Sequence, residues 1–346
     1  MKKILFIIFL TSLVLVSACS FFQDEDDEEV IIPEEPEDIS EEPEEKPDQI
    51  YRSVFNGQEL SENQDTYQAF GIMIENSPAS RPHSGLGLAD VVYETAVETY
   101  TISRFMAVYA SQHPTKVGPV RSARIPFVRM IQEWGLPYAH FGSAARGQGD
   151  AKSLIESLDI PIRFDGHLGI NDEFYSRDKA RRAPHNAYFN GQDAKTKIPE
   201  LEYEKHFEFG ENTNIDGQNI SRVSLSYSSN NQVLYEFDPD ERNYLRYINN
   251  DPMMDEYMAE QIRVRNIINL HAPHTTAESV VYVLVDFIGQ GKAEYFIDGK
   301  YEQGTWRKDS YDDKTEFFDA EGNPVILLPG NTWIQVVHDN VDIIKE

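Results

Sequence analysis

Cysteine, positive charge and long apolar runs are all scarce in this chain of 346 residues. The single cysteine, Cys19, cannot form an intramolecular disulfide, so a hydrophobic core alone must stabilise the fold. The 31 lysines and arginines face 59 aspartates and glutamates, for a formal net charge of −28. Such a balance argues against nucleic acid as a partner. The main apolar run, Ile4–Val16, is shorter than the roughly 20 residues that a membrane-spanning helix needs.

The N-terminus has the pattern of an export signal followed by a lipidation site. A positively charged start, Met1–Lys3, precedes the apolar run, which is typical of a secretory signal. The sequence Val16-Ser-Ala-Cys19 resembles the bacterial lipobox, in which the signal is cleaved before the cysteine and the thiol receives a diacylglyceryl group. We therefore expect a signal peptide over residues 1–18 and a lipidated Cys19. A chance cysteine behind an ordinary signal is the alternative.

Lipidation predicts where the protein is located. Two or more acyl chains, palmitate among them, are sufficient for stable attachment to a bilayer. We expect a lipoprotein of the cell membrane that faces the extracytoplasmic side.

Residues 19–49 predict a spacer between the membrane and the folded part. From Gln23 to Asp48 there are 15 acidic residues and one lysine, together with several prolines. Apolar residues are too few to bury a face, so we expect a disordered, self-repelling acidic stalk. At roughly 3 Å per residue, an extended stalk of this length reaches up to about 80 Å. A specific acidic binding motif is the alternative.

From Ile50 onward the composition is globular, and two domains are expected. Residues 50–197 alternate short apolar strands with helical patterns, such as a strand at 70–75 and helices at 126–134 and 150–158, which predicts an α/β-type domain. Residues 198–346 show short alternating segments separated by turns, which predicts a mainly antiparallel β domain with 280–288 as a central strand. The expected fold class is α+β overall.

Several phrases of the sequence resemble the DUF3048, or YerB-like, lipoprotein family. They are Phe70–Asn76, Ala79–Gly85, Ala89–Glu94, Ser103–Tyr109, Gly118–Arg124 and Ala183–Asn186 for its N-terminal domain, and Gly304–Lys308 and Pro329–Val337 for its C-terminal domain. The resemblance covers nearly everything after Ile50 and implies the same two domains. The family is named for an unknown function, so the resemblance implies no reaction. His271–His274 departs from the pattern.

Three arginines of the first domain, Arg104, Arg121 and Arg124, indicate an anion site. Guanidinium groups bind phosphate oxygens through bidentate, charge-assisted hydrogen bonds. Because Arg124 precedes a predicted helix, the start of that helix is expected to add free backbone amides. The alternative is that the three arginines form ordinary ion pairs with acidic neighbours.

Further polar residues complete the candidate site. They lie near a second basic cluster and in a small-residue loop, and they are Arg181, Arg182, His185, Asn186 and Ser143. His185 is either a site residue or a structural hydrogen-bonding group. The loop 142–147 lacks the Gly-Lys-Ser/Thr ending of a phosphate-binding loop, which favours a plain loop.

Glu94 and Glu98 are four residues apart, which is expected to place both carboxylates on one side of the element. They either neutralise the arginines, which we favour, or hold Mg²⁺ against a phosphate. The passage Ser103–Val120, with arginines at its end, resembles the extracellular LytR-CpsA-Psr phosphotransferases. That resemblance implies an arginine-lined pyrophosphate pocket and a divalent metal.

Other chemistry has weaker support. The sequence contains no Gly-x-Ser-x-Gly elbow, and lipidation of Cys19 removes the one thiol. His271 and His274 have metal-ligand side chains, but Pro273 indicates a loop and no third ligand is evident, so no metal site is expected there.

The preferred function is a ligand-binding or scaffold module at the cell envelope, without a cofactor. Its expected partners are the membrane, through the lipid anchor, and an envelope protein or glycopolymer. The alternative is a LytR-CpsA-Psr-like phosphotransferase, or a binder of phosphate or pyrophosphate precursors, and only that alternative includes Mg²⁺. Whether the protein is an enzyme stays open.

Overall fold

The computed structural model describes residues 50–278 and 281–346. The expected signal peptide, the lipidated Cys19 and the acidic stalk lie outside the described residues and stay predictions. In the described part of the chain, no helix is both long and apolar enough to cross a membrane.

Strands dominate the described residues. Those of the first part of the chain are β1 Tyr51–Arg52, β2 Glu59–Leu60, β3 Thr66–Tyr67, β4 Phe70–Glu75, β5 Val91–Glu98, β6 Ile102–Tyr109, β7 Tyr138–His140, β8 Arg163–Asp165, β9 Tyr175–Arg177, β10 Ala187–Phe189, β11 Leu201–Glu202, β12 Glu208–Phe209 and β13 Gln218–Asn219. Those of the second part are β14 Arg222–Ser228, β15 Asn231–Asp238, β16 Asn243–Ile248, β17 Asp251–Pro252, β18 Met254–Asp255, β19 Glu260–Gln261, β20 Arg263–Val264, β21 Asn266–His271, β22 His274–Thr276, β23 Val283–Val285, β24 Gly289–Ile297, β25 Lys300–Lys308, β26 Glu316–Phe318, β27 Ile326–Leu327, β28 Thr332–Val337 and β29 Asp342–Lys345.

Helices are few and short. The α-helices of the described residues are α1 Ile125–Trp134, α2 Ala151–Ser157 and α3 Gly191–Ala194. Single 3₁₀ turns occur at Pro78–Ser80, Leu86–Leu88, Gly147–Gly149 and Asp172–Phe174. The longest helix, α1, begins next to a proline in its first turn and ends at Gly135, whose φ of 61° is the left-handed conformation that favours glycine.

Eleven strands form one mixed sheet, here called the central sheet. Its order is β13-β25-β24-β21-β28-β5-β6-β4-β7-β8, and β26 pairs with β25. The parallel pair of β28 and β5 joins residues 332–336 to residues 91–95. Strands from both sides of the predicted domain boundary at 197/198 therefore lie in one sheet, and residues 49–346 form one compact unit.

A second sheet of six strands packs against one face of the central sheet. It contains β14, β15, β16, β17, β20 and β29. One core cluster lies between the two sheets and includes Phe105 and Trp333 of the central sheet and Tyr235 of the second sheet. Another core cluster covers the opposite face, where Phe127 and Ile131 of α1 pack. Alternate residues of the central strands thus enter two different cores.

The α/β prediction for residues 50–197 and the expected α+β class of the whole chain are both wrong, because the protein is a β-rich fold with 44% strand and 11% helix. An α/β domain joins parallel strands through helices that cover both faces of the sheet. Here β5 and β6 pair antiparallel across a tight turn, β4 and β6 also pair antiparallel, and the second sheet covers the face where crossover helices would lie. The predicted helices exist, but they pack on the other face only.

Segment 280–288 does not form the central strand that its apolar residues predict. Its strand, β23, is three residues long and pairs with β22 in a separate two-stranded sheet. The central positions belong to β28 and β5, whose residues are almost all buried.

Candidate anion-binding site

The arginines of the predicted anion site meet at one end of the central sheet. Glu75, the last residue of β4, lies directly opposite Arg104 of β6 in the antiparallel register, so both side chains leave the same face. The chain after β6 then returns along β4, where the backbone N–H of Arg121 donates to the carbonyl of Met73. Arg124 is the N-cap residue of α1. Sheet pairing and the start of a helix therefore position all three arginines.

Two carboxylates hold the three guanidinium groups together, and we call these five residues the arginine cluster: Glu75, Glu98, Arg104, Arg121 and Arg124. Arg121 Nε donates to Glu75 Oε2 at 2.5 Å. Arg124 Nη2 donates to Glu98 Oε1 at 2.6 Å. Arg104 Nη2 lies 3.5 Å from Glu75 Oε2 and 3.3 Å from Glu98 Oε1, so it bridges the two carboxylates.

The cluster is buried at its base and open at its edge. The side chains of Arg104 and Glu75 are 2% and 3% exposed, whereas Arg121 and Glu98 are 24% and 23% exposed. Burial alone would raise the pKa of Glu75, but the charges of Arg104 and Arg121 outweigh burial and bring that pKa below its ordinary value. Burial lowers the pKa of Arg104 to about 10, which keeps it protonated at neutral pH.

The cluster has a surplus positive charge and an exposed donor. Three guanidinium groups face two carboxylates, which leaves one positive charge uncompensated. Arg104 and Arg124 each direct terminal nitrogens at Glu98 and at backbone carbonyls. Arg121 uses Nε for Glu75, and within the described residues its terminal nitrogens donate no hydrogen bond to the protein. Arg121 is thus the group best placed to bind an external anion.

Glu94 does not join this cluster. A β-bulge between Ala96 and Glu98 changes the register of β5 against β6. A bulge shifts the alternation of side chains by one residue. The side chains of Glu94 and Glu98 therefore leave opposite faces of the central sheet despite their spacing of four. Glu94 lies between the two sheets and binds Arg246 of β16 at 2.7 Å, and both side chains are fully buried.

The oxygens of Glu94 have protein partners. Glu94 Oε1 accepts hydrogen bonds from Asn76 Nδ2 at 3.1 Å and from Ser103 Oγ at 2.6 Å. Glu94 and Glu98 therefore offer no shared pair of free carboxylates to a divalent cation. Among the described residues, no group of three or more His, Cys, Asp or Glu side chains is arranged to hold a metal ion.

His185 lies beside the arginine cluster. Its Nδ1 is 3.4 Å from Ser77 Oγ, two residues after Glu75. Burial lowers the pKa of His185 below its ordinary value; the charge of Glu75 opposes this shift, and those of Arg121 and Arg104 add to it. His185 is therefore neutral at pH 7 and can share a hydrogen bond with a ligand at the exposed edge.

The remaining predicted residues are only partly associated with the cluster. Arg181 is held by the carbonyls of Ser80 and Pro82 and by Glu256. Arg182 is exposed. The amide oxygen of Asn186 accepts from Arg177 Nη1 at 2.7 Å, which fixes the turn around residues 178–186.

The backbone near the start of α1 offers fewer free N–H groups to an anion than predicted. Ser143 pairs through its backbone with Ala123, next to Arg124. The expected free amides at the start of α1 are mostly consumed, because Pro126 has no N–H and the N–H groups of Phe127 and Val128 donate to the carbonyl of Arg124.

Two residues of the site were missed in the sequence. Glu75 binds both Arg104 and Arg121. The signal that could have indicated it is its position as an acidic residue at the end of an otherwise apolar strand. The ring of Tyr282 lies 4.6 Å from the guanidinium carbon of Arg124, within the range of a cation–π contact. Nothing in the sequence around Tyr282 indicated this contact, because it depends on the return of a segment almost 160 residues away.

The two histidines with metal-ligand character have separate roles. His271 Nε2 lies 2.8 Å from Glu294 Oε2. Lys345 Nζ donates to the other oxygen of the same carboxylate. His274 contacts the hydroxyl of Thr95 at 3.0 Å and the carbonyl of Ala272 at 2.8 Å.

Comparison with known proteins identifies the family. Residues 55–204 match the N-terminal domain, and residues 223–334 the C-terminal domain, of the protein family of unknown function DUF3048. The chain belongs to the DUF3048 family. The phrases that resemble the DUF3048 family contain four of the five residues of the arginine cluster, and Gly118–Arg124 contributes two of its arginines.

Relatives with the DUF3048 architecture include a Bacillus subtilis protein named "Putative lipoprotein YerB". It is 28% identical over 276 residues, which cover 78% of this chain and 80% of that protein. The crystal structure of YerB from Bacillus subtilis superimposes with a TM-score of 0.72 at 25% identity, and the match covers 85% of this chain and 99% of that structure. This chain is therefore similar to the Bacillus subtilis protein along most of its length.

Proposed function

We propose that the protein is a lipid-anchored binding module on the extracytoplasmic side of the cell membrane, and that the arginine cluster binds a phosphate group of an envelope ligand. The lipobox-like sequence at Cys19 and the similarity to YerB support the anchor. The acidic segment after Cys19 serves in this proposal as a spacer between the bilayer and the folded part.

One observation carries the binding site. The Arg121 side chain is 24% exposed and its terminal nitrogens donate no hydrogen bond within the described residues, while Glu75 fixes the orientation of its guanidinium group through Nε. A pre-oriented guanidinium loses less conformational entropy when it binds a phosphate than a free side chain does. The surplus charge of the cluster favours an anion over a neutral ligand.

The geometry favours binding over phosphate transfer. In the alternative, Glu94 and Glu98 hold Mg²⁺ against a phosphate, but they face different arginines across the sheet. With Glu75 and Glu98 both neutralised by arginine, the cluster supplies donors to an anion and no free carboxylate for a base or a metal ligand. The proposal therefore has no catalytic step and no cofactor.

Thermal unfolding of the full chain in detergent, with and without inorganic phosphate or pyrophosphate, tests the site. A ligand at one hundred times its Kd adds about 2.7 kcal/mol to the free energy of unfolding. For a folded part of this size, that gain raises Tm by about 4 °C or more. We expect this shift in the wild type and its loss in Arg121→Gln.

The matched control is Arg222→Gln, which removes one positive charge from an exposed site at the second sheet. It is expected to keep the full shift. Equal shifts in Arg121→Gln and the wild type would contradict the site, and no shift in the wild type with either anion would contradict phosphate binding itself.

A further inference from the structure

A second polar site begins at the residue next to the arginine cluster. Glu75 and Asn76 are consecutive at the end of β4, so their side chains leave opposite faces of the sheet. The side chain of Glu75 accepts a hydrogen bond from Arg121 in the arginine cluster. Asn76 Nδ2 instead donates to Glu94 and Ser103 on the other face, and Asn76 Oδ1 accepts from Arg81 Nε at 3.3 Å. Arg81 is thus separated from Arg121 by the sheet.

Two adjoining cavities meet at Arg81. The first, which we call the polar cavity, has a volume of about 300 Å³ and is lined by uncharged hydroxyl and amide side chains such as Thr101, Ser228 and Asn230. The second, the apolar cavity, has about 430 Å³ and is lined mainly by prolines, Ile248 and two methionines, with His83, Asn249 and Asp251 as further polar groups. Pro78 and Arg81 belong to both walls. An occupant of the combined groove therefore meets the cation of Arg81 between a hydrogen-bonding side and a mainly apolar side, with the carboxylate of Asp251 in the wall of the apolar cavity.

Arg81 lacks a carboxylate partner. Its side chain donates to the carbonyl and amide oxygens of Asn76, and among the described residues no acidic side chain forms an ion pair with it. Glu94, the acid whose charge acts on Arg81, is already paired with Arg246. Burial lowers the pKa of Arg81 to about 10. A partly buried, protonated guanidinium without a counter-charge is costly, and a bound anion offsets that cost.

The polar cavity also has a buried acceptor without a donor. Asn231 is 3% exposed and lines this cavity, and its Oδ1 has no hydrogen-bond partner within the described part of the chain. The amide orientation is determined by its neighbours. Ser103 Oγ gives its proton to Glu94 and so accepts from Asn231 Nδ2 at 3.0 Å. The unpaired atom must therefore be the oxygen, which needs a donor such as a hydroxyl.

From these features we propose that the groove binds a sugar unit that carries one acidic group. The acidic group pairs with Arg81, and the sugar hydroxyls pair with the hydroxyl and amide side chains of the polar cavity, each of which both donates and accepts. An N-acyl or other apolar substituent occupies the apolar cavity, where methionine side chains adapt to its shape. This site is separate from the phosphate site of the arginine cluster.

Three soluble probes separate the parts of the proposal: N-acetylmuramic acid, N-acetylglucosamine 1-phosphate and N-acetylglucosamine. The first two carry a carboxylate or a phosphate on related N-acetylated sugars, and the third is neutral. Saturation-transfer NMR and calorimetry with the full chain in detergent measure their binding. We expect one or both acidic sugars to bind at least about tenfold more tightly than the neutral sugar, because a charge-assisted hydrogen bond adds at least that much. The more tightly bound acid identifies the acidic group.

Variants locate the binding. Arg81→Gln is expected to lower the affinity for the acidic sugar about tenfold or more and to leave the neutral sugar unchanged. Asn230 is exposed at the rim of the polar cavity, so Asn230→Asp adds a repelling charge without disturbing a buried contact and is expected to weaken the same probe. This second variant keeps the test informative if Arg81→Gln fails to fold.

Arg121→Gln is the matched control, since it abolishes phosphate binding at the arginine cluster under the proposed function and is expected to leave the acidic sugar bound. Equal affinity for acidic and neutral sugars, or a loss of acidic-sugar binding in Arg121→Gln alone, would overturn the second site. N-acetylglutamate binding as tightly as the acidic sugars would overturn the sugar assignment. Because N-acetylglucosamine 1-phosphate carries the group that the arginine cluster is proposed to bind, the acidic and neutral sugars are compared in Arg121→Gln, where failure of the second site is distinguishable from failure of the proposed function.

Discussion

The buried ion pair between Glu94 and Arg246 joins the two sheets, and its removal from one side is expected to destabilise the protein strongly. The two side chains are fully buried and 2.7 Å apart. Arg246 also lies over the ring of Trp333, 4.6 Å from its centroid. Arg246→Met keeps most of the aliphatic volume but leaves the carboxylate of Glu94 buried without its cation. Breaking one side of a buried pair costs about 3–5 kcal/mol.

The double variant Glu94→Gln with Arg246→Met gives the decisive comparison. Removing both charges also removes both desolvation costs, and the amide oxygen of the substituted glutamine still accepts the hydrogen bonds from Asn76 and Ser103. We expect the double variant to unfold within about 1–2 kcal/mol of the wild type, and therefore to be more stable than the single variant.

Urea unfolding of the full chain in detergent, followed by tryptophan fluorescence, measures these differences, because Trp134, Trp306 and Trp333 are buried in the folded part. The control Arg222→Met removes a half-exposed arginine whose nearest carboxylates are 3.9 Å away, and it is expected to cost less than about 1 kcal/mol. If Arg246→Met is as stable as the wild type, or the double variant is less stable than the single one, the reasoning from buried charge is refuted.

Three further predictions concern separate parts of the molecule. Cys19→Ser is expected to abolish labelling with radioactive palmitate and to move the protein out of the membrane fraction; unchanged labelling would exclude this cysteine as the lipidation site. Gly304→Ala is expected to lower Tm by several degrees, since a Cβ there would lie 2.0 Å from the carbonyl oxygen of Phe318, and an unchanged melting curve would show that the strands can separate at no cost. Burial raises the pKa of Glu294, but hydrogen bonds from neighbouring histidine and lysine side chains prevail and lower it to about 2, below the unfolded value. The stabilisation by Glu294 is therefore complete above about pH 4.5 and is lost as the pH falls toward 2. In Glu294→Gln, the free energy of unfolding is expected to fall less steeply with acidification than in the wild type. Parallel stability–pH profiles of the variant and the wild type would contradict this assignment.

Local sequence patterns identified individual elements well and their arrangement poorly. The predicted helix at 126–134 corresponds to α1, because an early proline, an apolar stripe and Gly135 are local signals that act within one helix. The predicted strand at 70–75 has the bounds of β4. The parallel pairing of β28 with β5, about 240 residues earlier in the chain, is not indicated by any local sequence pattern. Because of this pairing, strands that suggested a separate α/β domain belong to one long mixed sheet.

The candidate site shows the same division. Arginine-rich phrases indicated Arg104, Arg121 and Arg124, and the structure brings these three together. Glu94 was grouped with them on the basis of its spacing from Glu98, but a single bulge in β5 sends the two carboxylates to opposite faces. A bulge depends on the pairing of β5 with β6, which spacing along one strand does not report.

The sequence by itself determined the chemistry that is available: one cysteine in a lipobox-like context, an acidic segment behind it, the arginines and the family. Composition and short motifs establish these features because each depends on residues close together in the chain. Only the tertiary structure decided which charges meet. Glu75 with Arg121, Glu94 with Arg246, and Arg81 without a carboxylate all follow from strand register and from the packing of one sheet on another. Those contacts form between distant segments, and their free energy depends on burial that exists only in the folded protein.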